Sequence, residues 1–369
     1  MAAATAGACL PERPPICAPG DVAVEGQPRP GLLGLVLVVP IAALLALGAG
    51  GAEGSVLVLG PLVTFSLPLL AMVAFWWEDW PGTTLRPAWS GWADTVLIAA
   101  GAVVLTGLGQ LVVGHLDPRG IFVPSPGAGH VATFPATMPL AATAFIAMLE
   151  LTLVGEGWPL RALPRLSAGL LAVVTAWAIA LGVVFALADV RAELGTALIL
   201  IAGSQTLFYV ALRGWPFSLI ATRRRRLACA HVVVITVGLL TFLVVHGVVG
   251  VGTEPLAACA ACFVAAALLL GMQLEGWLSR RVTLIAAIAA AAVLAPALYG
   301  VADGLRFTRA NADAWVTHVA LNALSASVLL HVAVGRRWPF AGDAAPSGAP
   351  RPPTYSELTA ELHRRKEQV

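Results

Sequence analysis

The sequence predicts an all-α polytopic transmembrane bundle of about ten spans, and three observations carry that expectation. The 369 residues are 59% hydrophobic and only 11% charged. Mean hydropathy is +0.86, more apolar surface than a water-soluble chain of this length could bury. Runs of about 20 apolar residues recur between residues 31 and 334, each long enough to cross roughly 30 Å of hydrocarbon. Backbone groups in lipid must be satisfied within the segment, which requires helices here, because the alternating pattern of a β-barrel strand is absent.

Residues 1–30 are proline-rich, carry Glu12, Asp21 and Glu25, and lack an apolar core. They read as a disordered cytoplasmic lead rather than a secretory signal. The spans then fall at 31–50, 55–76, 92–114, 137–155, 167–188, 194–213, 228–250, 254–274, 281–304 and 313–334, a ten-span domain over 31–334. A long outer loop, 115–136, separates the third and fourth. Cys229, Cys259 and Cys262 lie inside spans, where cysteine behaves as a small hydrophobe.

Of the 22 Lys and Arg residues, only Arg119, Arg191, Arg306 and Arg309 fall on the side opposite the even-span ends. The positive-inside rule therefore places those ends, and both termini, in the cytoplasm of a cell-membrane protein. The run Arg223 to Arg226 is a positive-inside anchor that also suits anionic lipid, not a nucleic-acid patch. The cytoplasmic segment 335–369 begins with a Pro, Gly and Ala linker at 341–352. A short charged helix follows at 354–369, started by Thr354 or Ser356. It is a solvated tail or a docking site for a protein partner.

The even-span ends resemble one another: EDWP at 78–81, EGWP at 156–159, RGWP at 213–216, EGWL at 275–278 and RRWP at 336–339. The interval between Trp80, Trp158, Trp215, Trp277 and Trp338 corresponds to two spans plus turns. The chain thus reads as five degenerate two-helix repeats, in which the indole anchors each helix end and the following proline stops it.

Ionisable groups inside spans are the functional leads. Glu150 lies in the cytoplasmic half of the fourth span and is the candidate proton-handling or catalytic group. Gln205 and Asn322 suit interhelical hydrogen bonds or the lining of a path. His231 and His331 share one depth near the cytoplasmic face, and His246 and His318 share another toward the outer face. Paired across two helices, they would hold haem as axial ligands. In the other arrangement His115, Asp117, His130, His246, His318 and Asp313 gather outside, an imidazole and carboxylate set suited to copper, iron or zinc. Hydrogen bonding between helices accounts for the same histidines without a metal.

FWWEDWP at 75–81 and FPATMPLAA at 134–142 resemble segments of the membrane subunits of particulate methane and ammonia monooxygenases. DAWVTH at 313–318 is loosely similar to a span opening in another of those subunits. The resemblance implies a shared helical scaffold and a copper site at the outer face. The family's Asp-x3-His pair has no counterpart here, and ten spans in one chain is not that family's plan.

Three functions follow as expectations: a membrane-bound oxidoreductase holding copper or haem, a transporter or channel for a small solute, and a membrane scaffold or accessory subunit. Oligomerisation stays open. Nothing resembles a phosphate loop or a nucleophile elbow.

Overall fold

The computed structural model describes residues 27–124, 128–130, 132–187, 191–337 and 339–340. Most of the lead at 1–30, the linker at 341–352, the tail helix at 354–369 and Trp338 lie outside the described residues. Among the described residues there is no strand.

Among the described residues, nine helices are long and apolar enough to span a membrane. They are α1 (Arg29–Leu47), α2 (Gly51–Trp76), α3 (Trp89–Val113), α5 (Arg165–Ala186), α6 (Glu193–Ala211), α7 (Arg223–Val248), α8 (Thr253–Gln273), α9 (Arg280–Ala302) and α10 (Ala312–Val334). The remaining helix, α4 (Met138–Val154), is shorter but apolar; about 17 residues at 1.5 Å each is the lower limit for a crossing. The protein is an integral membrane helical protein on these grounds. The long loop at 115–136 contains a short helix at Pro118–Phe122 whose first turn is capped by Asp117.

The helices divide into two layers. Of α2, α6, α8 and α10, 61–78% of the apolar window is buried, against 17–39% for α1, α3, α5, α7 and α9. The even helices pack around a closed ring, α2 on α4, α4 on α6, α6 on α8, α8 on α10 and α10 back on α2. Each odd helix lies outside on the even helix that precedes it and on the end of the next even helix back. Helix α1 completes the pattern by packing on α10 and the end of α8. Lipid supplies no hydrophobic force between helices, so close packing and polar ties hold the inner ring. Its buried residues accordingly include Ala258, Ala261, Ala265, Ala320 and Ala323 beside Thr64, Gln205, Asn322, Ser325 and Ser327.

Every even helix ends the same way. A wide, π-helical turn closes it, with the amides of Trp77, Gly155, Leu212, Leu274 and Gly335 donating to the carbonyls of Met72, Glu150, Leu207, Leu269 and Leu330 at 2.7–3.1 Å. The chain then passes through left-handed backbone at Glu78 and Asp79, Glu156 and Gly157, Arg213 and Gly214, Gly276, and Arg336 and Arg337. The proline was expected to stop each helix. The structure corrects this, because the left-handed residues have already ended the helix before the Trp is reached.

Side chains join these turns to one another. Arg336 donates to Asp79, Arg337 to Glu275, and Arg213 Nη2 to the Leu278 carbonyl. Arg226 donates to both oxygens of Glu156 at 2.9 and 3.0 Å, and Arg165 lies 3.5 Å from Glu78. The five contacts run once around the tryptophan end of the bundle.

Candidate functional site

Glu150 opens the wide turn of α4, and α7 crosses the end of α4, so the carboxyl meets an imidazole from another helix. His231 Nδ1 donates to Glu150 Oε2 at 2.5 Å. From α6, Gln205 Nε2 donates to the other oxygen, Oε1, at 2.9 Å and to the Ile146 carbonyl at 3.3 Å. The Glu150 side chain is 15% exposed and that of His231 39% exposed. Gln205 is fully buried, and its Oε1 has no partner. The Gln205 end of the group is therefore enclosed by the inner ring, and the His231 end is partly exposed on α7.

Such a group can exchange a proton. With the proton on nitrogen the pair is an imidazole donating to a carboxylate; with it on oxygen the carboxyl donates to an imidazole nitrogen. Gln205 donates to Oε1 in either state, which holds the carboxyl in one orientation. The wide turn is not a mark of this site, since all five even helices carry one.

The histidine pairs expected as haem ligands are not assembled. His231 bonds Glu150 instead of facing His331. His331 is buried on α10 beside Gly34 and Gln273, its Nε2 without a partner. His246 Nδ1 donates to the Val251 carbonyl at 2.8 Å, with the ring stacked on Phe242. His318 Nε2 donates to the Leu45 carbonyl at 3.0 Å, and its Nδ1 accepts from Asn322 Nδ2 at 3.3 Å. Both ring nitrogens of His318 are engaged, so neither is offered to an iron. The physical reason lies in the layers: α7 is an outer helix on α6, whereas α10 is an inner helix between α8 and α2.

The outer-face set is brought together only in part. His130 Nδ1 donates to Asp117 Oδ2 at 2.5 Å, and Arg119 donates to both carboxylate oxygens at 3.2 Å. Arg119, with His130 behind it, holds the Asp117 carboxyl well below its usual range. The His130 side chain is buried and its Nε2 has no partner. His115 is exposed and donates to the Gly129 carbonyl at 3.1 Å. Asp313 instead accepts from the Tyr299 hydroxyl. His246 and His318 are occupied as described, which corrects the six-residue cluster. Among the described residues, no three His, Cys, Asp or Glu side chains gather as a metal-binding group.

Asn322 is a tie within the inner ring, accepting from Thr64 Oγ1 at 3.2 Å. A second polar centre escaped the sequence reading altogether. Asp94, Ser90 and Asp79 are buried around the turn that follows α2. Asp94 is a carboxyl inside a span, two residues past where the sequence predicts the third span to begin.

The stretches that resemble the copper membrane monooxygenases occupy helix ends: FWWEDWP closes α2, FPATMPLAA leads into α4 and DAWVTH opens α10. No family model, curated protein or solved structure matches this chain.

Proposed function

We propose that this is a proton-handling membrane protein of the transporter type, with Glu150 and His231 as the groups that take up and release the proton. The observation that carries the reading is the 2.5 Å contact between His231 and Glu150, held from the other side by Gln205. Ionisable side chains inside spans are costly and are retained where they work. The distribution of Lys and Arg supports a cell-membrane location with the tryptophan end and both termini cytoplasmic, so the site would load from the cytoplasm. The closed ring of even helices supports an origin in five degenerate hairpins, α1 completing the last of them. A lumenal pH dye in proteoliposomes under a potassium diffusion potential tests the proposal. Proton flux above that of empty liposomes, lost in Glu150→Gln and His231→Ala, is expected. Flux no faster than in empty liposomes would overturn it.

A different observation favours a second reading, a metal-binding or redox protein. A carboxylate that orients one imidazole nitrogen leaves the other poised as a ligand, and Asp117 holds His130 in that way. A metal there would be copper or zinc at the outer face. Metal analysis of protein from its native host, with His130→Ala for comparison, decides it; equal content in both forms would exclude His130 as a ligand.

A further inference from the structure

Around the turn joining α2 to α3, three buried oxygens lack partners: Asp79 Oδ1, Ser90 Oγ and Asp94 Oδ2. Asp94 is fully buried, and Asp79 and Ser90 are each 8% exposed. Ser90 and Asp94 stand one turn apart on the same face of the α3 helix. Both press on Gly82: a Cβ there would meet Asp94 Oδ2 at 2.2 Å and the Ser90 carbonyl at 2.4 Å. The Gly82 amide donates to Asp94 Oδ1 at 2.8 Å. Asp79 Oδ2 accepts from Arg336 at 2.7 Å.

Arg336 pairs with Asp79 alone, and Asp94 is held only by the Gly82 amide, which leaves a negative charge in a site almost closed to solvent. Among the described residues no other cation pairs with either carboxylate. Glu78 adds negative charge and is matched by Arg165. Arg86, ahead of α3, is exposed. Arg337, next to Arg336, turns away to Met272, Gln273 and Glu275. An unpaired buried charge costs several kcal/mol, and a carboxyl escapes that cost by taking a proton. A metal ion with an oxygen shell of six or more would need carbonyl or water oxygens beyond these three. One proton, by contrast, removes the surplus charge and converts one orphaned acceptor into a donor.

We propose that Asp79 and Asp94 hold one proton between them at mildly acidic pH and release it to water as the pH rises, forming a proton site separate from Glu150. Burial pushes the Asp79 carboxyl up to about 6, in keeping with the geometry. The site sits where α10 closes on α2.

Infrared spectra of the full-length Glu150→Gln protein test the site without interference from the other carboxyl. Ordinary carboxylates are ionised by about pH 5.5, so a protonated-carboxyl band at that pH is expected from this pair, vanishing by about pH 8. Adding Asp94→Asn should remove the band; where that variant fails to fold, Asp79→Asn gives the same reading. Absence of the band at about pH 5.5, or its survival in the Asp94→Asn protein, would overturn the proposal. So would saturable stabilisation by sodium chloride but not choline chloride at about pH 8, lost in Asp94→Asn, which would assign the site to a metal cation. Proton flux through Glu150 is measured separately, and its failure leaves this result untouched.

Discussion

Arg336, in the turn that ends α10, donates through Nε to Asp79, in the turn that ends α2, at 2.7 Å. The contact spans almost the whole described chain and joins the last even helix to the first. Of the five contacts around the tryptophan end, it alone bridges the two ends of the described chain, so the ring is held shut there by a salt bridge rather than by the backbone.

Arg336→Ala should therefore destabilise the fold. Removing one partner of a fully buried pair costs about 3–5 kcal/mol. Here Arg336 is 52% exposed and Asp79 is 11% exposed, so we expect about 1–2 kcal/mol after solvent screening. Thermal unfolding in detergent measures it. Asp79→Asn removes the buried charge as well and should cost less than Arg336→Ala; the reverse order would refute the account.

Stability should depend on pH with two limbs. Asp79 has its folded pKa raised to about 6 by burial, above an unfolded value near 4. Its contribution is complete below about pH 4 and is lost as pH rises through about 6. Asp117 is the opposite case, held low chiefly by its hydrogen bonds from Arg119. Its contribution is present above about pH 4 and is lost as the pH falls further. Melting temperatures should peak between about pH 4 and 6. Asp117→Asn should remove the acid limb alone, and Asp79→Asn the alkaline limb alone.

Gly34 marks where α1 is clamped onto the ring. A Cβ there would lie 2.2 Å from Gln273 Nε2 and 2.3 Å from His331 Nε2. The amide cannot retreat without losing its 2.8 Å bond to the Gly31 carbonyl. Gly34→Ala should cost about 1–3 kcal/mol by overpacking. Gly182→Ala, where nothing lies within 4 Å, should be neutral or slightly stabilising. Equal melting temperatures for the two variants would contradict the packing described.

Gln205→Leu separates orientation from proton binding. The variant keeps both Glu150 and His231 but loses the 2.9 Å bond to Oε1. A net cost of about 1–2 kcal/mol is expected. Proton flux should fall yet persist, unlike its complete loss in Glu150→Gln. Full wild-type flux in Gln205→Leu would mean that the carboxyl needs no positioning.

Much of the architecture was legible in the residues. Apolar runs gave the helices, including the short α4, because a span must satisfy its own backbone hydrogen bonds. The recurring Trp motif marked the even-helix ends, where the structure has one repeated turn. The physical cause was misread at one point: the left-handed residues ahead of each Trp end the helix, and the proline comes afterwards. The inner layer left a fainter trace. Helices α6 and α10, which carry Gln205 and Asn322, have mean hydropathies of 1.6 and 1.5, below the 2.2–2.5 of the other seven spanning helices.

The candidate site was legible residue by residue but not as a pair. Depth alone matched His231 to His331 on the sequence, and the same argument would have matched it equally well to Glu150. Depth is fixed by position along a helix, whereas partnership depends on which helices touch and on the faces they present. The sequence by itself determined that this chain is helical, membrane-spanning and punctuated at regular intervals. Only the tertiary structure decided that the even helices form the inner ring, that His231 belongs to Glu150, and that Arg336 closes on Asp79. Those pairings join residues 81 and 257 positions apart, and local hydrogen bonding and hydrophobicity, which set each helix, carry no information about neighbours so distant along the chain.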